Sequence, residues 1–127
     1  MARLMIILFA LFFFVTPGQA SPKVHSQYVH GSGNAVTLQV SVPRPAPTAL
    51  IFTQKVQGGQ RLVSARPAPV GGKLSGSTLK WLFKRPRPGA LSIHMQFAKP
   101  VRPGQLQGFL NYRDPATGSR VHLQVGN

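Results

Sequence analysis

The sequence predicts an all-β domain, a single sandwich of about seven antiparallel strands behind a signal peptide. Three observations lead there. Apolar and polar residues alternate with a period of two along most of the chain, the pattern of strands with one buried and one wet face. Turn-forming clusters interrupt these runs at the spacing of a sandwich. The 12 prolines and 13 glycines in 127 residues leave no stretch with helical periodicity.

The elements follow in order. A first strand covers about Val24 to His30 and ends at Gly31-Ser32-Gly33-Asn34. In the second, Val36, Leu38, Val40 and Val42 alternate with polar or small residues. The proline-rich Pro43-Arg44-Pro45-Ala46-Pro47 leads to a third strand, Ala49 to Val56. Gly58-Gly59 and Gly71-Gly72 bound a short strand near Arg61 to Ala65. Leu79, Trp81 and Phe83 then share one face, with Lys80 and Lys84 on the other. After Pro86-Arg87-Pro88-Gly89, the residues Leu91, Ile93, Met95 and Phe97 alternate again. The last two strands, about Gln105 to Arg113 and Ser119 to Val125, form a hairpin. Its loop places Asp114 before Pro115 and closes on Gly118, the chemistry of a type I turn with a left-handed exit.

Residues 1–20 read as a signal peptide and 21–127 as the basic domain. Arg3 supplies a positive start, Met5 to Val15 is an unbroken apolar run, and Gly18-Gln19-Ala20 offers small residues for cleavage. The run is short of the roughly 20 residues that span a bilayer core. An uncleaved anchor is the alternative, and the small-x-small exit argues for cleavage. No second apolar run follows, so the mature form is expected to carry no integral membrane span. Cysteine is absent, which excludes thiol and disulfide chemistry and suits bacterial export to the periplasm or beyond.

Charge is the dominant compositional feature. Fifteen Lys plus Arg stand against one acidic residue, Asp114. Without Arg3, fourteen cations remain and the net charge is +13. Such a charge attracts polyanions at the cost of self-repulsion. Outside a cell the candidates are lipid headgroups, phosphorylated glycolipids, acidic glycans, free DNA and acidic proteins. Solubility alone is the plainer explanation.

The inventory argues against an enzyme. Paired-carboxylate catalysis is impossible with one carboxylate, and a Ser-His-Asp triad would need Asp114, which the turn already uses. No glycine-rich loop leads into a helix to cradle a phosphate. No cofactor is expected. Four histidines (His25, His30, His94 and His122) raise copper binding as a remote reading, with Met95 on the face opposite His94. No His-x-His pair or acidic ligand supports it. Trp81, the single tryptophan, reads as the core residue of the sandwich rather than as a stacking platform.

The polyanion-binding candidates are Lys80, Lys84, Arg85 and Arg87, joined by Lys99 and Arg102 after the next strand. The Arg-Pro alternation of Arg85 to Pro88 holds guanidinium groups out on a stiff backbone, which lowers the ordering cost on meeting an anion. The two clusters lie about 25 Å apart if they flank one strand. They join into a stripe only if Lys80 and Lys84 face that strand.

The order of features resembles the Ig-like domains of bacterial surface proteins of the conserved-repeat type. The residues that carry the resemblance are Val36 to Val42, Leu50 to Phe52, Pro67, Leu79-Lys80-Trp81, Pro88-Gly89, Leu91 to Phe97, Gly108 and Tyr112. The resemblance implies an Ig-like sandwich acting as a non-catalytic module of an exported protein. The expected function is therefore a binding module for an anionic envelope or extracellular partner. The alternative is a structural or assembly subunit that pairs with a protein partner through an edge strand.

Overall fold

The computed structural model describes residues 22–31, 33–57, 59–72, 77–102 and 104–126; the signal-peptide segment lies outside them. Among the described residues eight strands form: β1 (His25–His30), β2 (Ala35–Val42), β3 (Ala49–Val56), β4 (Leu62–Arg66), β5 (Thr78–Lys84), β6 (Gly89–Phe97), β7 (Leu106–Arg113) and β8 (Arg120–Gln124). The one helical turn is a short 3-10 element at Val70–Gly72.

The strands make two four-stranded antiparallel sheets, ordered β1-β2-β6-β4 and β5-β3-β7-β8. The fold is thus a β-sandwich, and its eight strands fall on the eight segments read from the sequence, against an expected total of about seven. In immunoglobulin terms, the first sheet has the ABED order and β3-β7-β8 the CFG order. β5 adds a strand beside β3, but β4 precedes β5 in the chain, so the connection visits the first sheet before returning to the second.

Period-two alternation builds the core. On β2, Val36, Leu38, Val40 and Val42 point inward, and on β6 Ile93, Met95 and Phe97 do so. The second sheet answers with Leu50 and Phe52 from β3, Leu79 and Trp81 from β5, and Leu110 and Tyr112 from β7. Trp81, 1% exposed, packs on Phe52 with ring centroids 5.3 Å apart. Its indole Nε1 donates to the Pro67 carbonyl at 2.9 Å, which satisfies the one polar atom a buried tryptophan brings.

The sandwich is closed along one side. Beyond β8 the chain crosses to β1: Tyr28 N donates to Gly126 O at 3.0 Å and Gly126 N to Ser26 O at 3.2 Å, a single parallel bridge. The bridge covers an edge that would otherwise be open to pairing. On the opposite side β4 is short and bulged between Leu62 and Ser64.

Beneath that bridge lies a polar contact inside the core. Tyr28 Oη donates to Gln54 Oε1 at 3.1 Å, and Gln54 is fully buried on β3. Gly108 on β7 faces both. A Cβ there would stand 2.3 Å from Tyr28 Oη, 2.7 Å from Phe52 Cε2 and 2.8 Å from Val125 Cγ2. Glycine is the residue that lets the tyrosine enter.

Asp114 takes the turn role expected for it. It is 5% exposed, its Oδ1 accepts from Ala116 N at 2.8 Å, and its carbonyl accepts from Gly118 N at 2.8 Å. Gly118 has φ 73°, the left-handed exit.

Candidate functional site

The outer face of the β5-β3-β7-β8 sheet carries the site. Strand register arranges its side chains in rows. Lys84 lies opposite Ala49 on β3, and Arg113 lies opposite Arg120 across β7 and β8. These four residues form the row nearest the end of the sandwich that holds the β7–β8 turn. The next row is Leu82, Ile51, Asn111 and His122, and the one after it Lys80, Thr53, Phe109 and Gln124. Lys55 stands beyond, opposite Thr78 and Gln107.

Ala49, Ile51 and Thr53 of β3 form the floor of a groove of about 720 Å³ in the middle of this face. Ala49 and Thr53 are four residues apart, so the floor runs about 13 Å along β3. Lys80 walls one side, and Arg113, Arg120 and His122 the other, with Thr48 and Asn111 supplying hydroxyl and amide groups. No carboxylate side chain faces it, since Asp114 is the only one in the chain and is buried in its turn.

Arg113 and Arg120 are closer than their spacing in sequence suggests. Asp114 N donates to Ser119 O at 2.8 Å. In an antiparallel ladder the next pair inward, Arg113 and Arg120, is then a non-hydrogen-bonded pair, the kind whose side chains lie closest. Like charges directly opposite on a sheet are destabilising. Arg113 Nη1 reaches the Gly118 carbonyl only at 3.5 Å.

Beside the arginines, His122 is held in place. It stacks on Phe109 with centroids 5.2 Å apart and planes 17° from parallel, and its Nδ1 hydrogen-bonds Asn111 Oδ1. The amide oxygen can only accept, so Nδ1 is the donor in this bond. Lys55 Nζ lies 5.8 Å from the Phe109 centroid, a cation–π distance. It comes from β3 while His122 comes from β8, so Phe109 is flanked from both neighbouring strands.

The six cations singled out in the sequence divide into three groups. Lys80 and Lys84 are exposed on this outer face. Arg85 and Arg87 lie in the connection from β5 to β6, which is an arch between sheets and not a hairpin. Arg85 adopts φ 47° there, and its N donates to Thr48 O at 2.8 Å, which brings this turn beside the entry to β3. Lys99 and Arg102 sit in the β6–β7 connection at the opposite end. Gln60 clamps that connection by accepting from Lys99 N at 3.0 Å and donating to Lys99 O at 2.8 Å.

A continuous stripe along β6 therefore does not form. β5 and β6 belong to different sheets, so Lys80 and Lys84 face away from β6, and the length of β6 separates Arg87 from Lys99. What gathers instead is Lys84, Arg85 and Arg87 at the end that also holds Arg113 and Arg120. Arg113 and Arg120 had no motif to mark them. The usable signal was alternation: both fall on the polar phase of the predicted hairpin strands, at its two mouth positions.

The histidines are spread. His94 lies on β6 with its Nδ1 3.2 Å from Thr37 Oγ1, on the other sheet from His122. Among the described residues no three of His, Cys, Asp or Glu come together to hold a metal ion. Among the same residues no helix is long and apolar enough to cross a membrane.

Comparison of the chain with protein-family models, with curated proteins and with solved structures gives no match. The class of the protein is therefore set by its architecture alone: a β-sandwich whose second sheet presents a basic outer face.

Proposed function

We propose that this protein is an exported, non-catalytic binding module for an anionic envelope or extracellular partner, bound on the outer face of the β5-β3-β7-β8 sheet. The observation that carries the reading is the groove between Lys80 and the Arg113–Arg120 pair, which no carboxylate faces. Guanidinium groups on adjacent strands offer a planar fork of donors suited to bidentate capture of phosphate or carboxylate. Lys84, Arg85 and Arg87 at the same end extend the field that draws a polyanion in. Lys99 and Arg102, at the far end, add to the long-range attraction and not to this groove. Export to the bacterial periplasm or beyond is part of the proposal, and the leader-like residues 1–20 and the cysteine-free composition support it. No cofactor enters the proposal.

The test is binding of the purified protein to phosphorylated glycolipid, acidic glycan and acidic protein across a salt series. Affinity is expected to fall steeply as salt screens the cations. Charge reversal at Arg113 and Arg120 is expected to abolish binding, while reversal at Lys99 and Arg102 weakens it modestly. Salt-insensitive capture of one defined protein would instead support the assembly-subunit reading, in which an edge strand makes the contact.

A further inference from the structure

The groove's lining specifies more than charge. The geometry points to a phosphorylated saccharide as its ligand, with the phosphate held between Arg113 and Arg120 and the sugar lying along β3 toward Lys80. This rests on reading the same face as an anion-binding surface and names the chemistry it takes.

Three features carry the inference. The first is the arginine pair. Arg113 and Arg120 face each other as a non-hydrogen-bonded pair, whose like-charge repulsion a bridging dianion would relieve. A phosphate monoester has the oxygens to accept from both guanidinium forks at once. The second is the floor. From Ala49 to Thr53 it is shallow and open, flanked by the hydroxyls of Thr48 and Thr53 and the amide of Asn111. The hydroxyls of Thr48 and Thr53 and the amide of Asn111 along about 13 Å of strand match the ring hydroxyls of one or two sugar units, and Ala49, Ile51 and Val121 give the apolar face of a sugar ring a surface to lie on. The groove's volume, about 720 Å³, lies in the ordinary range for a small-ligand site. The third is the state of the aromatic residues. Single-stranded nucleic acid is held by bases stacked on open rings. Here the Phe109 ring is flanked by His122 and Lys55, and Trp81, Tyr28 and Tyr112 are buried in the core. Among its cations the face offers one exposed ring, His122, rather than the row of rings on which successive bases stack, which favours a phosphate attached to a sugar over one attached to a base.

The experiment titrates the purified protein with a disaccharide carrying one phosphate monoester, the same disaccharide without phosphate, inorganic phosphate, and a single-stranded oligonucleotide. A parallel arm uses phosphatidylcholine vesicles that display the phosphosaccharide as a lipid headgroup. The phosphosaccharide is expected to bind at least about tenfold more tightly than either the bare sugar or inorganic phosphate, equivalent to about 1.4 kcal/mol. That preference should vanish in Arg113→Gln/Arg120→Gln and persist in Lys99→Gln/Arg102→Gln. Because the double glutamine variant removes a repulsive pair, its unliganded thermal midpoint should not fall, so lost binding cannot be put down to misfolding. Binding of the free and vesicle-borne forms alike assigns a soluble glycan, and binding to the vesicle form alone assigns a headgroup; both support the chemistry. Equal binding of phosphate and phosphosaccharide, tighter binding of the oligonucleotide, or equal losses from both double variants would each overturn it. If salt-dependent binding to other polyanions survives that result, the broader anion-binding reading stands and only the saccharide assignment fails.

Discussion

Replacing Gly108 with alanine tests the packing of the core junction directly. The new Cβ would stand 2.3 Å from Tyr28 Oη, 2.7 Å from Phe52 Cε2 and 2.8 Å from Val125 Cγ2. All three belong to elements that cannot withdraw independently. Phe52 is fully buried on the central strand β3, and Val125 N is bonded to the Gly108 carbonyl itself at 2.7 Å. Tyr28 is fixed by its hydroxyl on Gln54 and by its backbone on Gly126. Overpacking of this kind costs about 1–3 kcal/mol. If Tyr28 swings away, Gln54 loses its hydrogen-bond partner inside the core, for about 1–3 kcal/mol more. Alanine returns about 0.5–1 kcal/mol through lower chain entropy in the unfolded state. The expected net loss is about 3 kcal/mol, a large share of the ordinary stability of about 5–15 kcal/mol.

Urea unfolding followed by Trp81 fluorescence reads it out, because that single tryptophan is buried against Phe52. A double-mutant cycle with Tyr28→Phe sharpens the test. Removing the hydroxyl removes the closest of the three clashes, so the two substitutions should couple by about 1 kcal/mol or more. A Gly108→Ala protein within about 0.5 kcal/mol of the parent, the range of neutral surface changes, would refute this account of the junction.

Three further outcomes are expected. Burial raises the Tyr28 phenol pKa above its ordinary value, so its neutral form belongs to the folded state. Its contribution is complete below about pH 10 and is lost as pH rises from there toward the folded-state pKa, by up to about 1.4 kcal/mol per pH unit. Comparison of alkaline unfolding curves should show that increment missing in Tyr28→Phe, and identical slopes would count against it. Trp81→Phe should cost about 2–3 kcal/mol by leaving the Pro67 carbonyl without its donor and a gap beside Phe52; a calorimetric midpoint unchanged from the parent would contradict this. Deleting residues 126–127 should free the β1 edge. The Tyr28 amide, which donates to Gly126 O, should then exchange hydrogen much faster while the central β2–β6 amides stay protected. Uniform acceleration would mean that the bridge is no separate local device.

The alternation of residues such as Val36 to Val42 and Leu91 to Phe97 was enough to read strands, because a half-buried strand must place apolar groups at every second position. The same pattern put Trp81 in the core and Lys80 and Lys84 on the wet face. The Asp114-Pro115 turn was legible because its hydrogen bonds are local. The signal-like residues 1–20 and the +14 charge of the chain were likewise matters of composition.

Which cations meet was decided elsewhere. Alternation tells which face of a strand is wet, but not which sheet the strand joins. The β5–β6 connection arches between sheets, so Lys80 and Lys84 face away from β6 and no stripe joins them to Lys99 and Arg102. Arg113 and Arg120 are drawn together by the ladder between β7 and β8, and the groove forms where β3 lays Ala49, Ile51 and Thr53 between them and Lys80. Gly108 enters the resemblance as a pattern residue, but the reason for its smallness is not local: Tyr28, 80 residues away along the chain, and Phe52 and Val125 close around it only in the fold. Strand, turn and charge are local or summed properties and are legible residue by residue. Only the tertiary structure decided proximity across sheets, because register and strand order depend on the packing of the whole core and not on any one segment.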